Sequence, residues 1–348
     1  MDLIRPPAVV IERPFEAAFR PVALTPKRAD TVVAQTLWSA ISTGTDMKTY
    51  RGEQHPEQCY YPLVPGYENM GVILEEGSYV KGLKAGDRVM INECRKYGDV
   101  CAAWGGGPRL VHKDSDNAGG AGDPMCKVPD NVSDTDAVLA YLACVPLKGL
   151  EKFDLRPTDT VVVVGAGMVG ISAMQLLKIK CPGIRVIAIE KNGFRREIAQ
   201  HYADVVLPHD DTTERKLLDL TGGKKADKIM ECSGNPAVPG ILHRYLKDGG
   251  WGDDDEPGHI HLQGDYPEKL LFDHYHRWFT KNCTITMSCA IKARGKAEIL
   301  KYMAEGKFDT SHLPCEIWPV QKVKEAFEYQ NRKGYNVFKI LLDWREVK

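Results

Sequence analysis

Three glycines have the spacing of a dinucleotide-binding turn. Gly165, Gly167 and Gly170 follow the pattern G-x-G-x-x-G directly after the apolar run VVVV. The first glycine permits a tight turn, the second lets backbone amides approach a pyrophosphate, and the third lets a helix pack closely on the strand. Free N–H groups at the start of that helix favour the anion. We therefore predict that this turn, with Met168 and Val169, binds a nicotinamide or flavin dinucleotide.

The type of dinucleotide depends on Glu190 and the basic residues after it. Glu190 ends the next apolar run, VIAIE, 20 residues after Gly170. A carboxylate at this place can accept hydrogen bonds from the adenosine ribose and would repel a ribose phosphate, which favours NAD. Lys191, Arg195 and Arg196 keep NADP open as the alternative.

The segments around this turn indicate an α/β domain inserted into a β domain. Residues 1–145 are rich in Pro, Gly and short β-like runs, such as Thr31–Leu37, Met70–Leu74 and Asp87–Ile91. From 146 to 291 predicted strands alternate with predicted helices, which implies a parallel sheet with crossover helices. The predicted strands are 161–164, 186–189, 205–207, 229–232 and 259–262, and the predicted helices are 171–179, 195–202 and 241–246.

We expect residues 292–348 to return to the first domain, through helices at 296–304 and 323–329 and a last strand at 337–342. In open α/β sheets ligands bind at the carboxyl ends of the strands. The substrate is therefore expected in a cleft between the two domains.

Composition excludes several function classes. The chain has 348 residues, is 43% hydrophobic and carries a formal net charge of −1, which gives no field for recruiting nucleic acid or an anionic membrane. No apolar run reaches the roughly 18 to 20 residues that span a bilayer. The N-terminus lacks a signal-peptide layout, and the 10 cysteines contain no C-x-x-C pair, so we expect reduced thiols in the cytoplasm. We expect a small-molecule substrate and a homodimer or homotetramer.

The sequence resembles the medium-chain dehydrogenase/reductase superfamily, which includes alcohol and polyol dehydrogenases with a GroES-like catalytic domain. The matching segments are STGTD at 42–46, PGYENMG at 65–71, KAGDRV at 84–89, ADKIMECSG at 226–234, and LP to EAF across 313–327. The sequences of these segments are most similar to those of a subgroup that includes bacteriochlorophyllide hydroxyethyl dehydrogenases. The resemblance implies a GroES-like β domain plus a Rossmann doubly wound parallel sheet, with Ser233 near the cofactor.

The resemblance also marks a departure in the metal site. Members with catalytic zinc carry Cys where this chain has Thr43 and His where it has Tyr67, and their third ligand falls near Cys144. Zinc needs about three protein ligands, and only Glu68 and Cys144 remain here. The four closely spaced cysteines of the family's structural zinc are also missing. We therefore expect neither zinc.

Without zinc another group must exchange the substrate proton. Tyr67 replaces a zinc ligand, so the resemblance implies that it points at the substrate oxygen. Thr45 holds the family's hydroxyl relay position, and Lys48 stands where many members have a relay His. An ammonium nearby would lower the pKa of the phenol, which makes Tyr67 and Lys48 a candidate acid/base pair. Alternatively Tyr67 fills the vacated pocket, Lys48 is a surface charge, and Glu68 is a remnant rather than an orienting group.

The candidate substrate contacts are Thr43, Asn92, Glu93, Trp104 and Cys144. We predict a zinc-independent, NAD(P)-dependent oxidoreductase that interconverts a secondary alcohol and a ketone, with a polyhydroxy or sugar-like substrate favoured. Two alternatives stay open: an enone or quinone reductase of the same superfamily, and a catalytically silent dinucleotide-binding protein.

Two pairs of histidines stand apart from these motifs. His259 and His261 would face the same side of a predicted strand, and His274 and His276 lie in FDHYHRW. Neither pair has an obvious third metal ligand, so we expect ordinary packing or surface positions.

Overall fold

The chain folds into two compact units. The computed structural model describes residues 3–55, 57, 59–114, 123–250, 256–266 and 269–347. The first unit comprises Met1–Tyr141, Lys292–Gly306 and Leu313–Lys348, and the second comprises Leu142–Ile291 and Lys307–His312. Within the described part of the chain, no helix is long and apolar enough to cross a bilayer.

In chain order the strands are β1 (Pro7–Arg13), β2 (Glu16–Pro21), β3 (Thr31–Ile41), β4 (Leu63–Val64), β5 (Asn69–Glu76), β6 (Arg88–Met90), β7 (Cys101–Ala102), β8 (Leu110–Asp114), β9 (Cys126–Lys127), β10 (Thr160–Val164), β11 (Arg185–Glu190), β12 (Val205–Pro208), β13 (Lys228–Glu231), β14 (His259–Leu262), β15 (Thr284–Met287), β16 (Cys315–Pro319) and β17 (Lys339–Asp343). The helices are α1 (Thr45–Arg51), α2 (Asp134–Leu150), α3 (Met168–Lys180), α4 (Gly193–Ala199), α5 (Thr213–Leu220), α6 (Tyr275–Phe279), α7 (Ala293–Ala304) and α8 (Val323–Lys333).

The first unit is built on two β-sheets. One has the order β2-β1-β4-β7, and the other has the order β16-β17-β3-β5-β6-β9, with β8 also paired to β3. Strand β3 is long and rich in β-branched residues, and it pairs antiparallel with β5, β8 and β17. Buried apolar side chains such as Ile11, Ile41, Phe327 and Trp344 form the core around which α1 and α8 pack. This framework places the ends of β3, β5 and β17 close together.

The second unit is a six-stranded parallel sheet of order β12-β11-β10-β13-β14-β15. Strand β10 lies between β11 and β13, and its valines are fully or almost fully buried, as expected for a strand covered on both faces. From β10 the polypeptide continues to β11 and β12 on one side of the sheet, whereas from β13 it continues to β14 and β15 on the other side. All six carboxyl ends lie at one edge, and the order reverses beside β10, which is where open α/β sheets bind ligands.

Sequence periodicity missed some elements of this unit. The helix predicted at 241–246 is instead a 3₁₀ helix at Pro239–Arg244, with the proline at its start. Strand β15 was not predicted, although it closes one edge of the sheet. Helix α2 was also not predicted, because it is apolar on most sides and contains Pro146, so it shows little helical periodicity.

Candidate functional site

The glycine turn has the geometry that its spacing predicts. Gly165 follows β10 with φ +94°, and a Cβ there would lie 2.9 Å from the backbone of Ser233. A Cβ on Gly170 would lie 1.9 Å from the carbonyl oxygen of Gly165, so α3 packs directly on the turn. Gly167 precedes α3, and a Cβ there would lie 3.4 Å from Arg195 Nη1. The first and third glycines are therefore sterically required, and a guanidinium lies beside the second.

Glu190 joins this turn to the next helix. The side chain lies at the carboxyl end of β11 and is buried. Its Oε2 accepts a hydrogen bond from the Ala166 N–H at 2.7 Å, and its Oε1 accepts one from the Asn192 N–H at 2.8 Å. Each carboxylate oxygen can accept a further bond, so the group can hold the turn and bind ribose hydroxyls together.

The basic residues after Glu190 have separate positions. Asn192 caps α4 by accepting the Arg195 N–H at 3.0 Å, and the buried Arg195 side chain extends to the glycine turn. Arg196 donates to the carbonyl oxygens of Glu190 and Lys191, and Lys191 is exposed. Arg195 therefore places a guanidinium beside Gly167, the second glycine of the turn.

Sequence reasoning missed a second carboxylate at the same edge. Glu231 ends β13 and is fully buried. Ser233 donates to it through both its N–H and its hydroxyl, and the Tyr266 hydroxyl donates to the other oxygen. Burial raises the pKa of Glu231 to about 7. The signal that could have found it is an acidic residue near the carboxyl end of a predicted strand, which resembles the signal that identified Glu190.

In the first unit Tyr67 lies in a cluster of hydroxyl groups. Its hydroxyl is 2.7 Å from Ser42 Oγ and donates to Thr45 Oγ1 at 3.1 Å. Ser42 follows β3 and Thr45 begins α1, so the turn between these elements supplies both partners. The Tyr67 ring stacks on Tyr141 with centroids 4.8 Å apart and meets Trp104 edge-on at 5.8 Å. Ser42 and Tyr141 are members of this cluster that the sequence did not single out.

The predicted lowering of the Tyr67 pKa is wrong. Burial and the neighbouring carboxylates Glu68 and Asp46 raise the pKa of the phenol well above its usual value. Lys48 lies on α1 and is half-buried. At neutral pH the phenol is therefore protonated, which makes it a hydrogen-bond donor rather than a base.

Beneath this cluster lie two buried carboxylates. Asp46 accepts backbone N–H bonds from Ser42 at 2.8 Å and Gly66 at 3.1 Å, and burial raises its pKa to about 7. Glu68 is paired with Lys339 of β17, with Nζ and Oε1 2.5 Å apart and both side chains essentially unexposed. Its second oxygen, Oε2, has no hydrogen-bond partner among the described residues. Lys339 was missed, although a lysine inside the apolar run NVFKILLD is a visible signal.

The predicted substrate contact at Asn92 is not supported by its surroundings. Asn92 is fully buried with φ +58°, its Nδ2 donates to the Tyr67 carbonyl at 2.8 Å, and its Oδ1 accepts from Lys296 at 3.0 Å. A side chain so enclosed supports the backbone of Tyr67 rather than facing a ligand. Glu93 is partly exposed, and it accepts from the Tyr141 hydroxyl at 3.2 Å.

The remaining predicted contacts fall in different places. Thr43 is half-buried in the turn that carries Ser42 and Thr45. Cys144 is buried in the part of α2 that belongs to the second unit. Searched over the described ranges, the chain shows no group of three or more His, Cys, Asp or Glu side chains placed to hold a metal.

The two histidines of β14 differ in exposure, since His259 is partly exposed. His261 is fully buried, and the Phe153 ring meets both His259 and His261 edge-on. Burial lowers the pKa of His261 from 6.5 to about 4, so the folded protein keeps this imidazole neutral. His274 and His276 are exposed next to α6 and within it.

We expect His261 to make folding sensitive to mild acid. Since its folded pKa is below its unfolded pKa, its contribution to stability is complete above pH 6.5 and is lost as the pH falls toward 4. The loss should approach about 3 kcal/mol, at 1.36 kcal/mol per unit. Urea unfolding between pH 7 and 4 should show a shallower pH dependence for His261→Gln, whereas His276→Gln, at an exposed position, should match the parent. Equal slopes for all three proteins would contradict the assignment.

Comparison with known proteins shows which family and which fold this chain is similar to. A family model described as an alcohol dehydrogenase GroES-like domain matches residues 28–131, and one described as a zinc-binding dehydrogenase matches residues 168–250. An alcohol dehydrogenase of Geobacillus stearothermophilus is 27% identical over 302 residues, which cover 82% of this chain and 84% of that protein. A D-arabitol-phosphate dehydrogenase of Enterococcus avium is 26% identical, over 67% of this chain and 70% of that one. The structure of zinc dependent alcohol dehydrogenase 2 from Streptococcus pneumonia superposes with a TM-score of 0.82 at 19% identity, covering 99% of both chains.

Proposed function

The chain belongs to the medium-chain dehydrogenase/reductase superfamily of oxidoreductases, and from that premise we propose that it interconverts a secondary alcohol and a ketone without zinc. The observation that carries the proposal is the hydroxyl of Tyr67, held by Ser42 and Thr45 at the position where relatives have a zinc ligand. We also propose that residues 1–145 and 292–348 form the catalytic domain and 146–291 the dinucleotide-binding domain.

The second unit fits a nicotinamide dinucleotide, which the family uses. The glycine turn and the first amides of α3 would hold the pyrophosphate, and Glu190 would accept hydrogen bonds from the ribose hydroxyls. Arg195 adds a positive charge beside Gly167. When bound, the nicotinamide would supply the hydride acceptor or donor. We propose NAD rather than NADP because the buried Glu190 carboxylate would repel a ribose phosphate.

The residues at the family's metal position do not fit zinc. Thr43 and Tyr67 replace a thiolate and an imidazole, and a protonated phenol is a poor ligand. Of the remaining candidates, Glu68 is already paired with Lys339 at 2.5 Å. Cys144 would then be left as a single thiolate, whereas catalytic zinc sites use three protein ligands.

Tyr67 can replace the metal as the group that neutralises the substrate oxygen. As a protonated phenol it can donate to a carbonyl oxygen and deliver its proton as the alkoxide forms. Ser42 and Thr45 are within hydrogen-bond distance and can return a proton to it. Since burial and two carboxylates oppose the phenolate, Tyr67 is in the protonated form that ketone reduction requires.

A polyhydroxy or sugar-like substrate is the class that we propose. The Enterococcus avium relative is named for a sugar-alcohol phosphate. In this chain, the partly exposed carboxylate of Glu93 next to the Tyr141 hydroxyl provides an acceptor for a substrate hydroxyl. The aromatic rings of Tyr67, Tyr141 and Trp104 provide an apolar surface beside it.

Metal analysis together with an activity screen tests this function. Purified protein should contain well under one zinc per chain, and a chelator should leave nicotinamide-linked reduction of ketoses and other ketones unchanged. Stoichiometric zinc, or activity abolished by chelator and restored by zinc, would contradict the proposal. Reduction of enones or quinones in place of ketones would favour the alternative reductase, and cofactor binding with no turnover would favour a silent protein.

Removing the charge of Glu190 should change cofactor preference. We expect Glu190→Gln to weaken NAD binding by about 1–3 kcal/mol, because charge-assisted hydrogen bonds to the ribose are lost. NADP binding should weaken less, since repulsion of its phosphate is relieved. Calorimetric titration of both cofactors measures this, with Glu197→Gln, an exposed position on α4, as the control. Tighter binding of NADP than NAD by the parent protein would contradict the assignment.

A further inference from the structure

The polar face of β14 and β15 contains a continuous chain of hydrogen-bonding side chains. His259 Nε2 lies 2.8 Å from Thr286 Oγ1, which lies 2.9 Å from His261 Nδ1. His261 Nε2 lies 3.1 Å from Ser288 Oγ. We call His259, Thr286, His261 and Ser288 the histidine–hydroxyl chain.

The two strands fix the direction of this chain. β14 and β15 are parallel and pair His261 with Thr286, so alternate residues of each strand face the same side. His259 is at the amino end of β14, and Ser288 directly follows the carboxyl end of β15. The histidine–hydroxyl chain therefore runs along these two strands to the carboxyl edge of the sheet. The glycine turn lies at the same edge. His259 and Ser288 are both partly exposed, whereas His261 is fully buried between them.

The protein encloses the imidazole of His261, whereas Thr286 is partly exposed. A Cβ on Gly149 of α2 would lie 2.8 Å from His261 Nε2 and 2.1 Å from Gln263 Oε1, so the last turn of the helix lies directly on these groups. Phe153 covers both imidazoles. The other face of β14 carries Ile260, which packs in the apolar core. His261 is therefore the buried member of the histidine–hydroxyl chain, and each of its ring nitrogens lies within hydrogen-bond distance of a hydroxyl.

Burial is the main cause that keeps both imidazoles neutral. Burial lowers the pKa of His259 and His261, and the ammonium groups of Lys228 and Lys152 lower them further. A neutral imidazole has one N–H and one free lone pair, so it can accept a proton on one side and release one on the other.

We propose that the histidine–hydroxyl chain is a proton pathway between the carboxyl edge of the parallel sheet and solvent at His259. The proposal rests on the proposed function, because alcohol–ketone interconversion with a nicotinamide cofactor releases or takes up one proton in each turnover. No residue of the histidine–hydroxyl chain belongs to the Tyr67 cluster.

Each step moves one proton and leaves no charge behind. When Ser288 Oγ accepts a proton, its own hydroxyl proton passes to His261 Nε2, and His261 releases its Nδ1 proton to Thr286. Thr286 passes its proton to His259 Nε2, and the other nitrogen of His259 releases one to water. The hydroxyls then rotate and the imidazoles exchange tautomers before the next transfer. Ketone reduction uses the same steps in reverse.

The test interrupts the histidine–hydroxyl chain at its centre with a side chain of similar shape. Thr286→Val removes the hydroxyl that joins the two histidines and keeps a β-branched side chain. Thr284→Val is the matched control, because Thr284 lies two residues earlier on the same face of β15 and outside the chain. Ser288→Ala, at the end of the chain, is a second variant for use if Thr286→Val does not fold.

Two measurements decide the outcome. With ¹⁵N-labelled histidine, NMR should show that exchange of the His261 ring proton with water slows in Thr286→Val and stays unchanged in Thr284→Val. In steady-state assays kcat should fall by about 10² in Thr286→Val and become dependent on the concentration of a small buffer base, with KM for the cofactor unchanged.

Unchanged ring-proton exchange in both Thr286→Val and Ser288→Ala would overturn the pathway, whatever the activity. Slower exchange with an unchanged kcat would overturn its use in turnover. A parent protein with no nicotinamide-linked activity would defeat the proposed function, while the exchange measurement would still decide whether the chain conducts protons.

Discussion

Tyr67→Phe is expected to lower turnover by about 10² to 10⁴ while cofactor affinity hardly changes, the range typical of a lost general acid. The substitution removes one oxygen and keeps the ring that stacks on Tyr141 and meets Trp104. Ser42 and Thr45 lose a common partner, but both remain in the same turn. Since the phenol is protonated over the working pH range, the rate of ketone reduction in the parent should show no basic limb that belongs to Tyr67.

The neighbouring phenol provides the control for this experiment. Tyr141→Phe removes a hydroxyl that is bonded to Glu93 and leaves the ring stacked on Tyr67. We expect it to alter KM for a polyhydroxy substrate more than kcat, because Glu93 is the proposed acceptor for a substrate hydroxyl. Near-normal kcat in Tyr67→Phe, measured from nicotinamide absorbance, would show that Tyr67 only fills the vacated pocket.

The backbone geometry of the glycine turn could be predicted because its signals are local in sequence. Gly165, Gly167 and Gly170 lie within six residues, and Glu190 ends the strand that pairs directly with β10. Steric requirements of the backbone make such patterns readable without a structure. Glu231 has a local signal as well, but its partner Tyr266 lies 35 residues further along the chain, so that contact could not be predicted.

The surroundings of Tyr67 could not be predicted because they come from distant parts of the chain. Ser42 lies 25 residues before Tyr67, and Lys339 lies 271 residues after Glu68. Lys48 was chosen because it stands where many family members have a relay His, and that correspondence did not reveal that burial, together with Glu68 and Asp46, raises the pKa of the phenol. The sign of a pKa shift depends on the charges that the fold brings together, and sequence spacing does not report those distances.

Lys339→Met should destabilise the protein by about 3–5 kcal/mol, the cost of leaving one partner of a buried ion pair without its counter-charge. Lys339 and Glu68 are 1% and 0% exposed, and Glu68 Oε2 has no other partner among the described residues. Removing the ammonium therefore leaves an uncompensated carboxylate next to Asp46. Denaturant unfolding followed by fluorescence would measure the change.

Two further variants separate this effect from loss of packing. Lys27→Met breaks an exposed pair with Glu75, whose side chains are 42% and 56% exposed, so it should cost no more than about 1 kcal/mol. Adding Glu68→Gln to Lys339→Met removes the stranded charge and should recover part of the lost stability, since a neutral amide is less costly to bury than a carboxylate. If the double variant were less stable than Lys339→Met, charge would not be the cause, and packing of the lysine side chain would account for the loss.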